Sequence, residues 1–141
     1  MSLFAAIDTN VLVSALLSSS DDAATVQVVR LLLTGELTPV YSEPMMKEYR
    51  EVLLRKKFGF SVELVDLLLS SIERFGVYAE PAPSGIVLPD LKDLPFYEVV
   101  LEKRDVGAYL VTGNIKHFPK QPFVVTPREM LEIVRESLIK R

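Results

Sequence analysis

The chain has 141 residues, 49% hydrophobic and 25% charged, with a net charge of −3, which fits one globular domain with a real core. It has no cysteine and a single histidine, His117, so disulfides, thiolate metal sites and multi-histidine zinc sites are excluded. Any metal must be held mainly by carboxylates, an oxygen set that suits magnesium, manganese or calcium. No apolar run reaches the roughly 18 residues of a membrane span. The first residues lack the basic start and small-residue cleavage site of a secretory signal, so the expectation is a cytoplasmic location with no membrane partner. The acidic balance argues against a general nucleic-acid coat protein and leaves room for a nuclease with a local basic rim.

In chain order, residues 3–8 predict a first strand. Five apolar residues run without alternation into Asp8, as in a strand covered on both faces. A short helix over 10–18 ends in three serines. Asp21 or Asp22 is expected to cap a second helix, with Val26, Val29, Leu32 and Leu33 on one face and Gly35 near its end. Residues 38–41 predict a second strand. Ser42 is the expected N-cap of a helix running to about Lys57, with Met45, Tyr49, Val52 and Leu53 as its apolar stripe. Glu48 lies about 40° from Val52, at the edge of that stripe. Phe58-Gly59-Phe60 breaks this helix. Ser61 starts another, apolar at Leu64, Leu67, Leu68 and Ile72 and closed by Gly76.

Residues 77–79 predict a third strand, and 81–89, with three prolines and a glycine, a loop. A helix carrying Phe96, Val99 and Val100 follows and ends at Val106-Gly107. Residues 108–112 and 123–125 predict two more strands. Gly113-Asn114 turns between them, and Thr126-Pro127 opens a terminal helix through Met130, Leu131, Val134 and Leu138. Strands and helices alternate throughout a single domain, 1–141. That pattern predicts an α/β fold, a three-layer α/β/α sandwich around a mostly parallel sheet of four to five strands. The apolar second helix belongs in the core or in a homodimer interface; the homodimer is the preferred expectation.

In such a sheet every strand-to-helix junction lies on one edge, so Asp8 and Glu48 are expected to converge there. Asp93, at a loop-to-helix boundary, joins them as a hypothesis. Like charges brought together repel unless protonated or neutralised by a cation. Magnesium or manganese does this while keeping water in its shell, and such an ion activates water and polarises phosphoryl oxygens. Singly, Asp8 reads equally as a helix cap, while Asp93 reads more readily as a cap and Glu48 more readily as a solvated helix residue.

Four blocks taken together carry more. Asp8-Thr9-Asn10-Val11-Leu12, the Glu48 segment 47–53, Asp93-Leu94-Pro95-Phe96 and Leu110-Val111-Thr112-Gly113-Asn114 resemble the PIN-domain ribonucleases, in order and over nearly the whole chain. They look most like the bacterial branch counted as toxins of toxin–antitoxin pairs. The resemblance implies Mg2+- or Mn2+-dependent cleavage of RNA and an antitoxin protein as partner. It implies Asp8, Glu48 and Asp93 as the acidic metal-binding, catalytic set, with Asn10 and Thr112 in support. The departure is Asn114, where many members carry a fourth acid. Asparagine offers a carbonyl oxygen but no charge, which favours one metal on three carboxylates over two metals. Phosphate contacts need cations, and Arg50, Arg55, Lys116 and Arg128 are candidates, with Lys56 and Lys57 beside them; His117 reads as a surface residue near the RNA. Two competing readings are a non-catalytic PIN-like RNA- or protein-binding module and a phosphatase using Asp8 as nucleophile. Asn10 argues against the phosphatase, because haloacid-type phosphatases carry a second acid at that position.

Overall fold

A computed structural model describes residues 2–140; the end positions 1 and 141 of the single-domain reading lie outside them. Five strands form one sheet: β1 (Leu3–Ile7), β2 (Leu37–Tyr41), β3 (Val77–Tyr78), β4 (Tyr109–Val111) and β5 (Val124–Val125). Their order across the sheet is β3-β2-β1-β4-β5. Every neighbouring pair is parallel, with Ala5 opposite Pro39 on one side of β1 and Tyr109 on the other. The unbroken apolar run of β1 now has its reason. As the central strand it is covered on both faces, and Ala5, Ala6 and Ile7 are buried.

The helices are α1 (Thr9–Leu17), α2 (Ala24–Thr34), α3 (Glu43–Leu53), α4 (Val62–Phe75), α5 (Leu94–Glu102) and α6 (Pro127–Ile139). On one face α2 packs against both α4 and α6; on the other, α5 lies across β1, β2 and β4. The result is the α/β/α sandwich expected of alternating elements with right-handed crossovers. None of the described helices is long and apolar enough to cross a membrane.

Four local expectations are corrected. Neither Asp21 nor Asp22 caps α2: the cap position is Ala23, while Asp21 pairs with Arg30 at 3.0 Å and Asp22 N–H bonds to Ser20 Oγ. Asp21's carboxylate is committed to Arg30, and the turn at Asp21-Asp22 leaves Ala23, not either acid, at the cap position. The expected α2 face is also rotated. Val28 and Leu32 are buried, Val26, Val29 and Leu31 are half-buried, and Leu33 is exposed. Helix α3 stops at Leu53. Arg55 turns extended, and a 3₁₀ turn over Lys56–Phe58 follows, closed by Gly59 in the left-handed region. In α4 the buried stripe is Val65, Leu68, Leu69 and Ile72, leaving Leu64 and Leu67 exposed. A period of 3.6 residues accommodates either register; contacts with α2, α3 and β2 select this one.

Two further features set the frame of the site. Ser42 occupies the α3 cap position, yet its buried hydroxyl bonds to nothing among the described residues. Tyr49 and Phe96, both fully buried, meet edge to face at 5.8 Å and lock α3 to α5 beside the sheet.

Candidate active site

The chain leaves β1 toward β2 on one side and returns through α5 to β4 on the other. A crevice opens at the carboxyl ends of β1 and β4, where these paths diverge. Asp8 follows β1 and Thr112 follows β4. The junction is closed by Asp8 N–H donating to the Val111 carbonyl at 2.9 Å and Thr112 N–H donating to Val125 at 2.9 Å. Asp8 occupies the cap position of α1, but its carboxylate makes no capping bond. Instead Oδ2 accepts from the Thr112 hydroxyl at 2.8 Å and from the Asn10 amide at 3.2 Å. Each of those residues is tied back to the turn after β4. Asn114 N–H donates to Thr112 Oγ1 at 2.9 Å, and Gly113 N–H donates to Asn10 Oδ1 at 3.1 Å. Oδ1 of Asp8 accepts from no side chain among the described residues.

Glu48 arrives from α3. Its Oε2 accepts from the Thr9 hydroxyl at 2.6 Å, and the neighbouring Tyr49 hydroxyl donates to the Ile7 carbonyl. These two bonds clamp α3 to the β1–α1 junction from successive residues. Asp93 ends the 3₁₀ turn before α5, and its Oδ2 lies 3.2 Å from Nδ1 of His117. Asp90 accepts from Lys92 N–H at 2.9 Å, a side-chain bond that makes it a turn residue.

Electrostatics mark the place. Burial pushes the Asp8 carboxyl up to about 6; the Thr112 hydroxyl opposes this, while Asp93 and then Glu48 add to it. Asp93 is raised by its own burial and then by Asp90, against the His117 hydrogen bond. Tyr49 is raised by burial first and then by Asp8 and Glu48. Asp8 and Asp93 are each raised by neighbouring carboxylates on top of their burial, a setting a cation would relieve.

A cavity of about 790 Å³ receives all three acids, together with Asn10, Asn114, Asp90 and the cationic or imidazole side chains of Arg55, Lys92 and His117. The other expected RNA contacts lie elsewhere. Arg50 pairs with Asp66 at 2.6 Å and lines a separate cavity beside Tyr41 and Tyr78. Lys116 and Arg128 are exposed and do not line the acidic cavity. Lys92 was missed in the sequence, although its place between Asp90 and Asp93 was a usable signal. The reach of His117 to Asp93 had none, since the two are 24 positions apart.

Among the described residues, no three acidic or imidazole side chains stand close enough to hold one ion directly. The donor chemistry still fits magnesium or manganese. The set is carboxylate and amide oxygens around an open cavity, and such ions bind through one or two carboxylates while keeping several waters.

Fold and site together define an α/β/α domain with an acidic crevice at its topological switch point. The PIN domain model matches residues 5–116, and the chain belongs to this family. No curated protein and no solved structure matches it. PIN domains are commonly nucleases that use divalent metals, and the matched span contains every acid in the crevice.

Proposed function

We propose that the protein is a metal-dependent endoribonuclease that hydrolyses RNA phosphodiester bonds at this crevice, and that it serves as the toxin of a toxin–antitoxin pair with an antitoxin protein as partner. The observation that carries the hydrolase is the convergence of Asp8, Glu48 and Asp93 on one cavity from three separate elements. The toxin assignment rests on the resemblance of the four sequence blocks.

Asp8, Glu48 and Asp93 would hold the ion together, one or two of them directly and the rest through its bound water, with the Asn114 side-chain carbonyl as a further acceptor for that water. When bound, magnesium or manganese supplies an activated water and a Lewis acid for the phosphoryl oxygen. The chain's own residues do the rest. Thr112 and Asn10 fix Asp8 through Oδ2, and Thr9 fixes Glu48 through Oε2. Each carboxylate is thus oriented before substrate arrives. Arg55 and Lys92 at the cavity rim meet backbone phosphates. His117 holds Asp93 in place.

A test is hydrolysis of a mixed-sequence single-stranded RNA with manganese, comparing wild type with Asp8→Asn. Cleavage should fall at least 100-fold in the variant. Equal cleavage by both proteins would remove Asp8 from the chemistry. The second reading, a PIN-like binding module without catalysis, is favoured by one specific observation: Asn114 brings no charge to the position where many members have an acid. RNA binding without cleavage in either protein would select it.

A further inference from the structure

The acidic crevice has a second half that the hydrolytic chemistry leaves unused. Val13, Leu17, Val52 and Phe58 line the same cavity as the carboxylates, and Arg55 lines it as well. This half is entered from the short connection between α3 and α4, Arg55-Lys56-Lys57-Phe58-Gly59-Phe60. Three consecutive cations stand there in a chain whose net charge is −3. All three are exposed, and none forms an ion pair with a described acid. Behind them the rings of Phe58 and Phe60 stack at 5.6 Å with an interplanar angle of 14°, and Lys57 Nζ sits 5.1 Å from the Phe58 ring centre. Gly59, at φ +70, makes the turn that lets two aromatics so close in sequence lie parallel.

We propose that residues 55–60 form a platform for unpaired nucleotides, which seats the base and phosphate next to the bond cut in the acidic half of the cavity. The proposal rests on the hydrolase reading for the position of that bond, but the platform's binding is separable from it. The chemistry is that of single-strand binding: an aromatic surface on which any base can stack, beside cations that track the backbone. A duplex keeps its bases stacked inside and cannot present one to Phe58. The apolar wall is continuous with the carboxylates, and a nucleotide is a ligand that needs both: an apolar, flat base joined to the phosphodiester itself. Phe60 packs against the core, which leaves the half-buried Phe58 at the cavity as the ring a base can meet.

The test is fluorescence anisotropy of a labelled mixed-sequence RNA 12-mer, single-stranded or annealed, in EDTA so that no cleavage intervenes. Wild type should bind the single strand at least 10-fold more tightly than the duplex. Phe58→Leu, which keeps apolar volume and loses the ring, should weaken single-strand binding roughly 10-fold. The Lys56→Gln/Lys57→Gln variant changes only exposed side chains. It should lower the slope of log affinity against log salt by roughly 1, as expected when one or two phosphate contacts are lost. Equal affinity for single strand and duplex would overturn the platform. So would Phe58→Leu binding like wild type, leaving the apolar wall to a protein segment. Single-strand binding that depends on Phe58, in a protein that cleaves no RNA with manganese, would uphold the platform and defeat the hydrolase instead.

Discussion

Asp8 is held where its charge is costly. Its carboxyl titrates near 6 in the folded chain, against 3.8 for the ordinary side chain, chiefly through burial. Between those two values the folded state binds the proton more tightly than the unfolded one, so stability falls as pH rises through this window and then levels off. A shift of that size corresponds to about 3 kcal/mol above pH 6. Asp8→Asn is therefore expected to stabilise the metal-free protein at pH 7.5, by up to about 3 kcal/mol, while the advantage vanishes below pH 4. Urea unfolding in EDTA at both pH values measures this; a variant no more stable than wild type at pH 7.5 would contradict it. Asp8 was legible in the sequence because an apolar run ends on it. Its partners were not all legible: Thr112 is 104 positions away, and only the resemblance linked the two.

At the scale of elements, the site depends on how tightly strands and helices close around it. Gly76 ends α4 and enters β3. A Cβ there would stand 2.4 Å from the Ile72 carbonyl oxygen and 2.7 Å from that of Pro39, both backbone atoms that cannot swing aside. Gly76→Ala should cost about 3 kcal/mol or more, as overpacking against fixed atoms does. Thermal unfolding checks it, and an unchanged midpoint would mean that the α4–β2 contact yields more easily than this geometry allows. Sequence patterns located every strand and every α-helix because apolar period and turn residues speak locally. They misplaced the start of α2 and the buried faces of α2 and α4, which tertiary contact sets, while Ser61 and Thr126 cap α4 and α6 as expected. Ala23 has no capping side chain, so α2 carries no signal at its start, and the Leu64/Leu67 register of α4 is as amphipathic as the Val65/Leu69 register that packs. The 3₁₀ turn at Lys56–Phe58 was hidden for the same reason: helix propensity continues through residues where the chain has already turned.

At the scale of the molecule, topology does the gathering. With all strands parallel and β1 central, the ends of β1 and β4 and the start of α3 share one edge, so Asp8 and Glu48 had to meet from their places in the sequence alone. Asp93 did not follow from that rule. It is carried in by a 3₁₀ turn on the long loop after β3, a placement that strand order does not dictate. The cations divide in the same way. Arg55 reaches the crevice because α3 ends early, whereas Arg50, on the opposite side of α3 from Glu48, is committed to Asp66. The central claim is that the three carboxylates share one cation, in part through its bound water. Its most direct test is calorimetric titration of manganese into wild type and Asp8→Asn. Binding to wild type, lost or weakened at least 10-fold in the variant, is the predicted result. Equal binding by both, or by neither, would contradict it.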